Sequence, residues 1–219
     1  MKQAKPFAES ADPLLIETFR ALVEAICRDQ QMRAEPDDSI KADAASQLQV
    51  HEYLIWVLDH SLSLVMGMGL TVIPQAAATA TLLNVGASQF IAAGKAQDPQ
   101  RAAIQGSSFA SLSPTDRIRT LSMLENLICD LGALPVPYQN NGELVRFVVD
   151  YLTRLTMFGY YSEWSAYGTS RLATPNEREL EHFPDGWKQV EYPGVALGYR
   201  ALSGYLLKIE RNGGESTIV

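Results

Sequence analysis

Helix-capping residues stand directly before proline at four places along the chain: Asp12-Pro13, Asp98-Pro99, Ser113-Pro114 and Thr174-Pro175. Asp, Ser and Thr accept hydrogen bonds from the unpaired N–H groups of a helix N-terminus, and proline suits the first helical position because it has no N–H to leave unpaired. Ser113 and Thr174 are each followed three residues later by a carboxylate, as in a capping box. These four pairs predict four helix starts.

Apolar residues recur at helical spacing in the segments between these starts and after them. Three predicted stripes consist of Leu15, Ile16, Phe19, Leu22, Val23 and Ile26; of Ile118, Leu121, Leu124, Ile128 and Leu131; and of Leu144, Phe147, Val148, Tyr151, Leu152 and Leu155. The third of these helices is expected to run up to Gly159. Val50 to Val72 is predicted as one further long helix. Glu177, Glu179 and Glu181 are expected on one solvated helix face. Because no pair of alternating strands is evident, the sequence predicts an all-α fold, an irregular helical bundle with an ordered, aromatic and loop-rich C-terminal third. We expect a single domain over residues 1–208 and a flexible tail over residues 209–219.

The charge balance excludes some classes of partner. The chain has 18 Lys and Arg against 25 Asp and Glu, a net charge of −7, with no basic cluster to neutralise phosphates, so nucleic acid is not expected to bind. Cys27 and Cys129 each lie in an apolar helical pattern and predict no disulfide framework. No export signal is evident, so the chain is expected in the cytoplasm, with export alongside a signal-bearing partner as the alternative.

A stretch without charged residues, from Ser61 to Gly94, is long enough to cross a membrane. Pro74 interrupts it, and Gln75, Asn84 and Gln89 follow. These residues favour a buried or subunit-facing helix over a spanning one.

Motifs for catalysis are not evident. His51 and His60 are nine residues apart, which places them on different sides of one helix, and Gly67-Met68-Gly69 does not continue as a dinucleotide-binding loop. No Walker loop and no nucleophile elbow occurs. We therefore expect no catalytic, metal-ligating or cofactor-binding residue in this chain.

Aromatic residues concentrate towards the C-terminus. The stretch GYYSEWSAYG (159–168) follows the last apolar stripe, and eight of the nine tyrosines lie between Tyr138 and Tyr205. Tyr and Trp combine a large apolar area with a hydrogen-bonding group. These aromatics are therefore either a core plug or a contact surface for another molecule.

The same region resembles a known family. LTRLTMFGYYSEWSAYG followed by GWKQVEYPG is similar to the paired aromatic loops of the gluconate 2-dehydrogenase subunit 3 family, and FASLSPTDR resembles the segment that starts a helix in that family. The resemblance covers Phe109 to Tyr199 and indicates a divergent member.

The resemblance implies a non-catalytic small subunit of a FAD-dependent (GMC-type) sugar, polyol or gluconate dehydrogenase. Such a subunit binds and stabilises or matures the large flavoprotein subunit, which holds the FAD; a cytochrome c subunit is a further candidate partner. The residues expected at the partner interface are Tyr160, Tyr161, Trp164, Tyr167, Trp187 and Tyr192. Two alternatives stay open at this point: a free-standing sugar-binding module, whose aromatics stack on sugar rings, and a membrane-associated helical protein.

Overall fold

The structure is a computed structural model that describes residues 12–33, 48–60, 74–97 and 108–192, together with a short pair of strands near the C-terminus. The described α-helices are α1 (Pro13–Arg33), α2 (Val50–His60), α3 (Ala76–Ala92), α4 (Ser108–Ser111), α5 (Pro114–Glu125), α6 (Gly142–Tyr161) and α7 (Asp185–Gln189). Short 3-10 helices span Leu131–Ala133, Trp164–Ser170 and Pro175–Glu177. The fold is all-α, as the sequence predicts. The strands Lys208–Ile209 and Thr217–Ile218 pair antiparallel, and most of the segment predicted as a tail lies outside the described residues.

Helix α1 lies at the centre of the bundle and packs against α2, α3, α5 and α6. It begins where the Asp12-Pro13 pair predicts, because the Asp12 carboxylate accepts a hydrogen bond from the Leu14 N–H at 3.0 Å. Its apolar stripe is buried, with Phe19 and Leu22 fully enclosed and Ile26 2% exposed. Helix α1 therefore supplies the face around which the other helices assemble.

Helix α5 begins at Pro114, where Ser113 Oγ accepts from the Asp116 N–H at 3.2 Å. It ends at Glu125, so the prediction that it continues to Leu131 is wrong. Leu127 adopts a left-handed conformation with φ of 56°, and the Ile128 N–H donates to the Met123 carbonyl oxygen at 2.9 Å. This hydrogen-bonding pattern closes a helix C-terminus and is usually built on glycine. The chain turns away, and Ile128 is left 63% exposed instead of joining the stripe.

Helix α6 covers the predicted stripe and extends it to Tyr161. The Asn141 side chain caps its N-terminus by accepting from the Leu144 N–H at 3.2 Å. One face is buried against α2 and α5, whereas Phe147 and Phe158, on another face, are 51% and 64% exposed. The apolar face of α6 is thus wider than the core requires.

The helix predicted after Thr174 is shorter than expected. Only the three residues Pro175–Glu177 turn after Thr174, and Arg178 is already extended, so the prediction of one helix carrying Glu177, Glu179 and Glu181 is wrong. The residues that follow the turn make long-range contacts instead of helical hydrogen bonds: Arg178 packs on the Trp56 ring, and Glu181 accepts from the Thr169 N–H. Helix α2 is described over Val50–His60, and residues 61–73 of the predicted long helix lie outside the described residues, as does the Asp98-Pro99 pair.

The second half of the uncharged stretch forms α3, which packs on α1, α4 and α5. Its side chains Leu82, Leu83 and Ala87 are fully buried in the core. Within the described part of the chain, no helix is long and apolar enough to cross a membrane.

Candidate partner-binding site

The six aromatic residues expected at an interface fall into two groups. Tyr160 and Trp164 are buried, at 4% and 2% exposure. Tyr161, Tyr167 and Trp187 are partly exposed, and Tyr192 is 43% exposed. The two groups occupy different surroundings.

Trp164 lies at the start of the 3-10 helix Trp164–Ser170 and packs on α2. Its ring meets Tyr53 edge-to-face at 5.3 Å and Trp56 at 6.3 Å, measured between ring centroids. Its indole N–H donates to the Gln49 carbonyl oxygen at 3.2 Å, so burial leaves no unpaired donor on the ring. Trp164 is one of the six residues expected at the partner interface, but in the structure α2 covers it.

The guanidinium of Arg178 packs on the rings of Trp56 and Trp164. Its guanidinium carbon lies 4.3 Å from the centroid of Trp56 and 5.1 Å from that of Trp164, within the range of a cation–π interaction. Tyr167 is the third ring, at 5.9 Å. We call Tyr53, Trp56, Trp164, Tyr167 and Arg178 the Trp164 cluster.

Two further contacts hold the segment that carries Arg178, one to α2 and one to the 3-10 helix Trp164–Ser170. Arg171 Nε lies 2.6 Å from a carboxylate oxygen of Glu52 on α2. Glu181 accepts from the backbone N–H of Thr169 at 2.7 Å, and the hydrogen bonds from Thr169 lower the pKa of the Glu181 carboxyl below its ordinary value. Gly168, directly before Thr169, has φ of 47°. A Cβ at this position would collide with the Glu181 carboxylate, so the contact depends on glycine.

The second group of aromatics surrounds Trp187 on α7. Phe183 and Tyr192 both meet the Trp187 ring edge-to-face, with centroid distances of 5.7 Å and 4.9 Å. Tyr192 and Trp187 form one wall of a groove of about 790 Å³ whose other wall is the C-terminal half of α6. The groove is lined by Thr153, Arg154, Met157, Phe158, Tyr161, Ser162, Glu163, Trp187, Val190 and Tyr192. We call it the Trp187 groove.

Gly186 allows α7 to lie directly on the end of α6. A Cβ on Gly186 would be 2.6 Å from the Tyr160 carbonyl oxygen and 2.9 Å from the Tyr161 Cα. Both neighbours are backbone atoms, which cannot move aside as a flexible side chain can. The close approach of α7 to α6 therefore depends on glycine at this position.

Four of the polar side chains in the groove are hydrogen-bonded inside the chain. Thr153 donates to the Val149 carbonyl oxygen at 3.4 Å, and Arg154 donates to Asp150 at 3.1 Å. The remaining two are bonded as well: Ser162 donates to the Gly159 carbonyl oxygen at 3.0 Å, and Glu163 accepts from the Tyr167 hydroxyl at 3.1 Å. The groove thus presents aromatic and aliphatic surface to solvent, with Phe158 64%, Val190 56% and Tyr192 43% exposed.

Three of the six predicted residues, Tyr161, Trp187 and Tyr192, line this groove. Tyr167 belongs to the Trp164 cluster, and Tyr160 is buried against the core with its ring edge-on to Tyr161 at 5.0 Å. Sequence reasoning missed Met157, Phe158 and Val190. The only signal for Met157 and Phe158 is an apolar run on α6 that is longer than one buried stripe, and such a run is equally typical of a fully buried helix. Val190, directly after α7, has no comparable signal in the sequence.

His51 and the two cysteines do not line the groove. His51 is 3% exposed, and burial, with Arg20 and Arg171 nearby, lowers its pKa to about 4 despite the opposing effect of Glu52. The two cysteines are free thiols, and burial raises the pKa of Cys27 to about 12. Among the described residues, no group of three His, Cys, Asp or Glu side chains is arranged to hold a metal ion.

Comparison of the chain with protein-family models, with curated proteins and with solved structures gives no match. The assignment of a role therefore rests on the residues of this chain and on the resemblance of its aromatic segments.

Proposed function

We propose that this chain is a non-catalytic, partner-binding subunit, and that its partner is the large FAD-containing, GMC-type subunit of a sugar, polyol or gluconate dehydrogenase. The observation that carries the proposal is the Trp187 groove. Three of the six residues for which the resemblance implies a partner contact line this one open, apolar surface. The flavin and the catalytic groups would then belong to the partner.

The groove has the composition of an interface core. Interface cores favour Trp and Tyr because these side chains contribute large contact area with few rotatable bonds. Trp187 is partly exposed and is held between Phe183 and Tyr192, so its ring is oriented before a partner binds. A preoriented aromatic side chain loses little conformational entropy on binding, which increases the affinity.

A sugar-binding role is less well supported. Carbohydrate recognition needs hydrogen-bonding side chains around a stacked ring, in addition to the aromatic face itself. Thr153, Arg154, Ser162 and Glu163, four of the residues that line the groove, each have a hydrogen-bond partner within the chain. A partner that presents apolar side chains fits this lining better than a polyhydroxylated ligand does.

The proposal is tested by capturing the full-length tagged chain from its native cells and recording the absorption spectrum of the material that co-purifies. We expect flavin absorption and dye-reducing activity in the captured complex, and neither in the chain expressed alone. The same spectrum would show haem bands if a cytochrome c subunit is present. Stoichiometric FAD bound to the chain alone, or capture without any flavin, would contradict the proposal.

A titration of the isolated chain with glucose, gluconate and a polyol serves as the second measurement. We expect no change in tryptophan fluorescence, because the proposed contacts are with protein. Saturable binding of one of these sugars would support the sugar-binding alternative instead.

A further inference from the structure

Helix α6 has an apolar ridge outside the face that it buries in the core. Val148 and Leu152 belong to the buried face, whereas Phe147 is 51% exposed and Tyr151 is partly exposed. The Phe147 and Tyr151 rings stack almost parallel, with their centroids 5.7 Å apart. Because each ring orients the other, the two form one ordered apolar surface that faces solvent. We call these two residues the α6 ridge.

Charged side chains run along the helix beside this ridge. Four residues at spacings of three, four and four positions form one row: Glu143, Arg146, Asp150 and Arg154. Glu143 and Arg146 lie 3.5 Å apart, and Asp150 and Arg154 lie 2.9 Å apart. Arg146 Nε also donates to the Glu125 carbonyl oxygen at 3.2 Å. The signs along the row therefore alternate, negative, positive, negative, positive, and they sum to zero.

These charges are accessible to another molecule. The side chains of Glu143 and Arg154, at the two ends of the row, are 88% and 76% exposed, and those of Arg146 and Asp150 are about half exposed. Ion pairs that are open to water hold their side chains only weakly. Each charge in the row can therefore share its neighbour with an opposite charge from a second molecule.

The face complements itself when two copies of α6 run antiparallel. A twofold axis perpendicular to both helices reverses the direction of α6 without exchanging its two flanks, so ridge meets ridge and row meets row. Glu143 of one copy then lies opposite Arg154 of the other, and Arg146 lies opposite Asp150. The two stacked ridges meet close to the axis. A parallel pair related by a twofold would instead set the charged row of one copy against the apolar ridge of the other.

We propose that this chain forms an antiparallel dimer through the outer face of α6, with the α6 ridges packed together and the charged rows paired beside them. The order of the signs along α6, and not a net charge of the surface, selects a second copy as the occupant. The contact spans about three turns of helix, a small interface, so the dimer should dissociate in the micromolar range. It is independent of the proposed flavoprotein partner, whose contacts are assigned to the Trp187 groove; of the dimer residues, Arg154 also lines that groove.

Sedimentation velocity of the full-length chain over a range of concentrations measures the self-association. We expect a monomer–dimer equilibrium for the wild type. Phe147→Lys should weaken the dimer about tenfold or more, because it places a charge in the middle of the apolar contact. Leu180→Lys is the matched control, since Leu180 is 50% exposed and lies outside α6, and it should leave the equilibrium unchanged.

A charge swap tests the antiparallel register. Arg154→Glu sets two carboxylates opposite each other, and Glu143→Arg sets two guanidinium groups opposite each other, so each change alone should weaken the dimer about fivefold or more. The double variant again has unlike charges at these positions and should recover most of the wild-type affinity. Both changes also create like-charge neighbours within one copy, and these remain in the double variant. Recovery therefore reports the contact between the copies.

A wild-type chain that stays monomeric throughout the micromolar range would overturn the dimer. So would a dimer that Phe147→Lys leaves intact, or a double variant as weak as the single ones. A monomeric chain that captures flavin would reject the dimer and keep the proposed function, whereas a dimer that captures no flavin would do the reverse. A monomeric wild type whose flavin capture is lost in Phe147→Lys would assign the outer face of α6 to the partner subunit and reject the second copy.

Discussion

The Trp164 cluster and the Trp187 groove are built from the same residue types but differ in what covers them. Trp164 is 2% exposed because α2 supplies Tyr53 and Trp56 to its faces and Arg178 lies over its ring. Trp187 has Phe183 and Tyr192 at its edges, and the side towards the C-terminal half of α6 is an open groove. An aromatic-rich sequence therefore does not itself indicate an interface; the presence or absence of a covering element decides.

The two regions are physically connected. Phe158 lines the groove and stacks on Tyr53 of the Trp164 cluster at 6.1 Å. The segment after Arg178 also leads to Phe183, which packs on Trp187. We infer that the buried cluster holds the fold and fixes the position of the exposed groove, so that substitutions in the two regions should have different effects.

The largest effect on stability is expected from Trp164→Ala. Removing a fully buried indole leaves a cavity and strands the Gln49 carbonyl oxygen, which should lower the free energy of unfolding by about 3–5 kcal/mol. Urea unfolding followed by circular dichroism measures this change. Trp187→Ala is the matched control, and we expect it to cost less than about 1 kcal/mol, as truncation of a surface aromatic does. Equal losses for both variants would remove the distinction between the two regions.

Lowering the pH should reduce the free energy of unfolding, because His51 is buried in its neutral form. Its folded pKa of about 4 lies below the ordinary value of 6.5, so the neutral form favours folding, and that stability is full above pH 6.5 and falls as the pH drops towards 4. Between pH 8 and pH 5 the expected loss is about 2 kcal/mol.

Urea unfolding at a series of pH values measures this dependence. His51→Leu should flatten the profile over the same range because the variant lacks the buried imidazole whose pKa is lowered on folding. A wild-type profile that is already flat would show that His51 titrates normally in the folded chain.

Arg178→Ala removes the cation from the Trp164 cluster. We expect a loss of about 1 kcal/mol, since the guanidinium is partly exposed and lies over two tryptophan rings. Near-ultraviolet circular dichroism should change along with the unfolding free energy, because two tryptophans of the cluster lose a neighbour. Arg178→Lys should retain only part of this stability, since a compact ammonium cannot stack as a planar guanidinium does. Unchanged spectra in both variants would mean that Arg178 does not pack on these rings in solution.

The smallest effect on global stability is expected from Gly186→Ala. The added methyl group meets backbone atoms of Tyr160 and Tyr161 and should displace α7, which carries one wall of the groove but little of the core. Global unfolding should change by less than about 1 kcal/mol, whereas hydrogen exchange in α7 should become faster. Lys188→Ala, on the same helix, should leave the exchange rates in α6 and the groove unchanged. Normal exchange protection of α7 in Gly186→Ala would contradict the close approach.

Local signals in the sequence predict much of this fold. The Asp12-Pro13 and Ser113-Pro114 pairs correctly mark the starts of α1 and α5, because a cap depends on residues only three positions apart. The stripe from Leu144 to Leu155 correctly predicts α6. Composition and periodicity also correctly predict an all-α fold.

Features that depend on long-range contacts could not be predicted in this way. Trp164 is buried because a segment more than a hundred residues earlier supplies Tyr53 and Trp56 from α2 and the Gln49 carbonyl oxygen just before that helix. The turn that follows α5 uses a left-handed conformation at Leu127, which leucine rarely adopts. The groove itself depends on Gly186, whose role becomes evident only when α6 and α7 are seen in contact.

The central claim is that the Trp187 groove, and not the Trp164 cluster, binds the flavoprotein partner. The most direct measurement is the amount of flavin captured by tagged Trp187→Ala relative to the wild-type chain, with Leu180→Ala as the control because Leu180 is 50% exposed and lies outside the groove lining. We predict that Trp187→Ala loses the flavin by about tenfold or more while its unfolding free energy stays near that of the wild type, and that Leu180→Ala captures the normal amount. Normal flavin capture by a folded Trp187→Ala chain would contradict the claim.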